Sequence, residues 1–92
     1  MTTAPTFKVK FGRIARTLVC EDALGTIVFT FETGPAGSQS TQKCKLYLDP
    51  GGLIQVGDAV KHASPADADR VAIALEETKR YAESCGYWVK SP

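Results

Sequence analysis

The sequence predicts an α+β fold, in which an antiparallel sheet of about five to six short strands has one face covered by a single long helix. Three observations lead there. Period-two alternation of apolar and polar residues recurs through the first two thirds of the chain, the signature of half-buried strands. One amphipathic stretch, 65–85, carries helix signals at both ends. A short aromatic segment, 87–90, follows the glycine that ends it.

In FKVKF (7–11), Phe7, Val9 and Phe11 share one side and Lys8 and Lys10 the other. Gly12-Arg13 permits a bend, after which IARTLVC (14–20) reads as a continued extended stretch and EDALG (21–25) as a loop. TIVFTFE (26–32) carries the strongest strand pattern, with Ile27, Phe29 and Phe31 facing inward and Thr26, Thr30 and Glu32 outward. TGPAGSQSTQ (33–42) is a long polar loop. KCKLYLD (43–49) alternates again, with Cys44, Leu46 and Leu48 inward, and PGG (50–52) is a turn. LIQV and AVKH flank Gly57-Asp58, a Gly-first pair that suits a type II′ hairpin.

The helix is marked by Ser64 as N-cap, Pro65 at the first helical position and Asp67 three residues after the cap. At 1.5 Å per residue, 65–85 is roughly 32 Å long. Ala68, Val71, Ala74, Leu75, Thr78, Ala82 and Cys85 form its inward face; the small side chains suit close packing on a sheet. The outward face carries Asp69, Glu76, Arg80 and Glu83, with Glu76–Arg80 at favourable i,i+4 spacing. Gly86 fits the position just past the helix end. YWVK (87–90) then reads as a closing strand, whose alternation sends Tyr87 and Trp88 to opposite faces.

Ninety-two residues and the absence of any internal linker or repeat indicate one globular domain, 7–92, after a flexible tail, 1–6. A net charge of +1 is not that of a chain built to seek phosphate polymers or acidic membranes. The charge is uneven: Lys8, Lys10, Arg13 and Arg16 precede Glu21, Asp22 and Glu32, a pattern typical of neighbouring strands that pair their charges. No apolar stretch has membrane-spanning length and no signal-peptide pattern is visible, so the expected location is cytoplasmic by default. Three widely spaced cysteines fit neither a disulfide framework nor a zinc site, and each is expected on an inward face or at a buried helix end.

One helix covers only one face of such a sheet, so the other meets water, a partner or a second copy. That face collects Lys8, Lys10, Thr26, Val28, Thr30, Lys43, Lys45 and Tyr47, with Tyr87 or Trp88 beside them. A plain solvated face has the same composition. As a binding face, its candidate residues are Lys8, Lys10, Lys43, Lys45, Tyr47, Tyr87 and Trp88. Ile73, the large apolar residue on the polar side of the helix, and Tyr81 at its flank are the candidates for self-association. His62 has no nucleophile framework around it and reads as a surface loop residue; Glu21-Asp22 and Asp67/Asp69 read as turn and helix-start acids. PGG leads into a strand, not a helix, so it is no phosphate loop.

No cofactor motif and no catalytic constellation emerge. The expected function is therefore a non-enzymatic interaction module that binds a protein partner, or itself, through the uncovered sheet face. The alternative is a weak single-stranded nucleic-acid binder that uses lysines for phosphate and rings for base stacking on the same face.

Overall fold

The computed structural model describes residues 7–34 and 44–90, in which seven strands and one α-helix follow each other in the order β1 (Lys8–Phe11), β2 (Thr17–Asp22), β3 (Gly25–Gly34), β4 (Lys45–Leu48), β5 (Leu53–Val56), β6 (Ala59–His62), α1 (Ala68–Ser84) and β7 (Trp88–Lys90). The expected tail 1–6, most of the polar loop 33–42, and Lys43 lie outside the described residues.

The alternation in the sequence is realised most clearly in β3 and β4, whereas Phe11, expected inward on β1, is partly exposed. Along β3, Ile27, Phe29 and Phe31 are buried while Thr30 and Glu32 are exposed. Leu18 and Cys20 of β2 and Leu46 and Leu48 of β4 join them. Removing a large side chain of this kind from water stabilises the fold by roughly 1.5–3 kcal/mol each. Antiparallel registers Val9↔Cys20, Phe11↔Leu18, Leu18↔Phe29 and Cys20↔Ile27 align these inward residues in rows across β1, β2 and β3.

The sheet differs from the expectation in two ways: it is mixed, and it is curled into a half-barrel. β4 and β7 run parallel, paired Lys45↔Trp88, Leu46↔Val89 and Tyr47↔Lys90. Parallel neighbours require a long crossover, and the β5–β6 hairpin plus α1 supply it. Periodicity reports that a strand exists but not which way it runs beside its neighbour.

The curl has its own source. β4 and β5 both pair with the same edge of β3, through Phe31↔Leu48 and Val28↔Leu53, so four residues (49–52) oppose two (29–30). PGG is thus a wide bulge in one bent strand, and bulges bend and twist sheets. The Asp49 N–H donates to the Thr30 carbonyl at 2.9 Å, and the Gly52 N–H to the Pro50 carbonyl at 3.0 Å. Gly52 is buried where the bulge touches the core: a Cβ there would lie 3.0 Å from Ile27 Cγ2, 3.0 Å from Val71 Cγ1 and 3.1 Å from Phe29 Cε1. Three apolar groups from strand and helix converge on that point, so Gly52→Ala is expected to lower stability by about 1–3 kcal/mol. A urea titration checks this, and an unchanged midpoint would refute the close approach.

Two further segments depart from the sequence reading. IARTLVC is not continuous strand: Arg16 has φ +64°, and the chain turns before β2 begins at Thr17. EDALG is mostly not loop, because Glu21 and Asp22 belong to β2 and Gly25 opens β3. The expected hairpin of LIQV and AVKH does form, with Gly57 at φ +62°. β6 is exposed along its whole length.

The helix starts as a 3-10 turn over Pro65–Asp67 and continues as α1. Asp67 reaches back to Ser64, accepting its N–H at 3.1 Å and its hydroxyl at 2.9 Å. Ala74, Thr78 and Ala82 are buried, with Val71, Leu75 and Tyr81 packed beside them against the core. The Thr78 hydroxyl, in this apolar setting, donates to the Ala74 carbonyl at 2.7 Å. Helix α1 packs across β1, β2, β3 and β7. The inward stripe is shorter than expected, since Ala68 and Cys85 are exposed at its two ends. On the outward face Glu76 pairs with Lys79 and Glu77 with Arg80, so the expected Glu76–Arg80 pair is replaced by two i,i+3 contacts. Gly86, at φ +97°, ends the helix as expected. Among the described residues no helix is long and apolar enough to cross a membrane.

Candidate functional site

Helix and sheet are joined by two contacts that bear on the uncovered face. At one end, Arg70 of α1 grips Asp22 at the end of β2: Nε donates to Oδ2 at 2.7 Å and the guanidinium NH2 to Oδ1 at 2.8 Å. Oδ1 also accepts the N–H groups of Leu24 (2.8 Å) and Gly25 (3.1 Å), which fixes the β2–β3 turn. The side chains are only 9% (Asp22) and 16% (Arg70) exposed. The hydrogen bonds from Arg70 hold the Asp22 carboxyl below the usual aspartate range, and Asp22 in turn raises Arg70. At the other end, the Phe11 ring is the hub of an aromatic cluster, with centroids 6.0 Å from Phe31, 5.7 Å from Tyr81 and 5.9 Å from Tyr87.

This cluster decides the roles of the two adjacent aromatics. Tyr87 precedes β7 and packs against the core. Trp88 opens β7 in register with Lys45 and is 53% exposed. The Nζ of Lys90 sits 3.8 Å from the Trp88 ring centroid and that of Lys45 5.7 Å away, distances at which an ammonium is attracted to an indole. Tyr47, also exposed, stands next to Lys90 in the ladder. Its ring lies across the bare backbone of Gly34, where a Cβ would be 3.0 Å from Tyr47 Cε2.

The candidate binding residues divide accordingly. Lys45, Tyr47 and Trp88 meet on the outer face of the β4–β7 side. Lys8 and Lys10 share that face but lie on β1, at the opposite edge of the sheet, with β2 and β3 between. Between them the exposed Arg16–Glu32 pair (3.2 Å) crosses from the turn before β2 to β3. Tyr87 is on the covered side, and Lys43 is outside the described residues. Lys90 was missed in the sequence; its spacing of two from Trp88 on one strand was the signal. Of the self-association candidates, Ile73 is half exposed on the helix, whereas Tyr81 is half-buried with its ring against Phe11.

Cys20 is buried, and burial pushes its thiol up, which suppresses the nucleophilic thiolate. Cys44 and Cys85 are exposed, contrary to the inward placement expected of them. Alternation phases a side chain but does not say how far the helix covers the sheet; Cys44 falls just before β4 and Cys85 in the overhanging last turn. Among the described residues no three metal-ligating side chains come together. A shallow apolar cleft of about 530 Å³ lies between the PGG bulge, His62–Pro65 and the first half of α1, with His62 among its lining residues.

Comparison with protein-family models, with curated proteins and with solved structures finds no significant match to this chain or its fold.

Proposed function

We propose that this chain is a non-enzymatic interaction module that binds a protein partner through the uncovered face of its sheet, at the surface around Trp88. The observation that carries the reading is an indole left half exposed on the sheet face opposite α1, with Tyr47 beside it and Lys45 and Lys90 bracketing the ring. Interface energy concentrates in such aromatic anchors, and a polar rim excludes water around them. The lysines also support a second reading, single-stranded nucleic acid with bases stacked on Trp88.

One capture experiment separates the two. Trp88 is half exposed and contributes nothing to the buried core, so Trp88→Ala is expected to cost only about 1–2 kcal/mol and to leave the chain folded, which the melting temperature checks. Capture from native lysate with and without nuclease is expected to yield a stoichiometric protein prey that survives nuclease and is lost with the Trp88→Ala bait. Recovery of nucleic acid alone supports the second reading, and prey retained by Trp88→Ala removes this surface from both.

A further inference from the structure

Resting on that reading, we infer that the partner segment is an acidic extended chain that adds to the sheet as a further strand along the free edge of β7. The backbone geometry supplies the first reason. The Trp88 N–H donates to the Cys44 carbonyl at 2.9 Å, on the β4 side. Successive N–H and C=O groups of a strand point to opposite edges, so those of Val89 point away from β4. Among the described residues no strand pairs with that edge. An edge with open backbone groups is a template for another polypeptide, and nucleic acid has no matching ladder to offer it.

Charge selects the occupant. Lys90 stands on the outer face of this edge and Lys45, one strand inward on β4, reaches toward it over the Trp88 ring; among the described residues neither makes a salt bridge, and the acid nearest in the ladder, Glu32, is held by Arg16. A second copy docked antiparallel about Val89 would gather four lysines, Lys45 and Lys90 of each copy, around the seam with no acid among them, which disfavours a symmetric pair. An acidic strand instead places a carboxylate beside Lys90 and another level with Trp88, toward which Lys45 reaches from β4. The pleat then dictates the pattern. Residues level with Trp88 and Lys90 face outward, and the one between them lies beside half-buried Val89 and the inward side of the sheet. The docked segment therefore alternates acid, apolar, acid.

The test is selection of random displayed peptides on the immobilised full chain, followed by titration of the enriched peptide. Enriched sequences are expected to show acids at alternating positions around an apolar residue, and their binding is expected to weaken as salt rises. Lys90→Glu is expected to reduce affinity about tenfold or more. A copy of the peptide N-methylated on the amides that face one edge is expected to lose about as much, because each methyl removes a ladder donor. Equal binding of the N-methylated copy overturns strand addition while leaving the Trp88 surface standing, provided Trp88→Ala still abolishes it. Enrichment of basic or non-alternating peptides, enrichment identical on a Trp88→Ala bait, no enrichment at all, self-association through β7, or displacement of the peptide by oligothymidine with no effect of N-methylation each overturn the proposal.

Discussion

A chain ended after Gly86 is expected to melt roughly 10–25 °C below the full chain, or to show no cooperative transition. Three residues of strand carry this effect because of what they cover. Val89 pairs with Leu46, which is fully buried, and Tyr87 closes the aromatic cluster around Phe11. Partial burial of these two side chains is worth about 3 kcal/mol, before the loss of the β4–β7 ladder is counted. The Tyr87 N–H also donates to the Ala82 carbonyl at 3.1 Å, which caps the helix. For a domain of this size that is a large share of the total, since stability is about 0.05–0.15 kcal/mol per residue. Circular dichroism against temperature measures it; unchanged melting would refute β7 as a closing strand. Trp88→Ala is the control, because it removes the exposed ring without touching the inward residues.

Asp22→Ala is expected to cost about 2–4 kcal/mol, because it strands a largely buried guanidinium and frees two turn N–H groups. Arg70→Ala removes the same two-pronged contact from the other side. The double variant is therefore expected to cost clearly less than the sum of the singles. Additive costs in urea titrations would show that the pair does not couple helix to hairpin. The exposed pairs Arg16–Glu32, Lys79–Glu76 and Arg80–Glu77 are worth only about 0–1 kcal/mol each, so the comparison is sharp. The pair also has a pH signature. Asp22 is held below its unfolded value, near 3.9, so its contribution is complete above that value. It is lost as pH falls through the lower folded one. The wild-type advantage over Asp22→Ala is expected to shrink in acid below about pH 4; an advantage that grows there would contradict the assignment.

Much of the local structure was legible because each element's own residues specify it. Ile27, Phe29 and Phe31 alternate with polar neighbours, and no other conformation puts all three on one side. Ser64, Pro65 and Asp67 mark a helix start by hydrogen bonds made within four residues. Gly57-Asp58 turns a hairpin by itself. What failed needed a partner distant in the chain. In the sequence nothing sets Arg70 apart from its charged neighbour Asp69, and Asp22 is one of two acids in an apparent loop; only the packing of α1 over the β2–β3 turn joins them. PGG read as a turn, yet only the shared edge of β3 makes it a bulge in one bent strand.

The candidate site shows the same division. That Trp88 and Tyr87 face opposite ways follows from the two-residue period of a strand, and that Lys45 and Tyr47 share a face follows from it too. Which aromatic is exposed depends on Phe11 and Tyr81, contributed by β1 and α1, because they hold Tyr87. The meeting of Lys45 with Trp88 depends on the parallel register of β4 and β7, more than forty positions apart in the chain. The separation of Lys8 and Lys10 from that group depends on strand order. The sequence by itself determined the alternation of β3 and β4, the face their residues occupy, and the helix with the signals at its two ends, because those follow from local backbone geometry. Strand direction, the curl, the Asp22–Arg70 clamp and the assembly of the Trp88 surface were decided by tertiary structure alone, because each is a contact between residues that local geometry leaves independent.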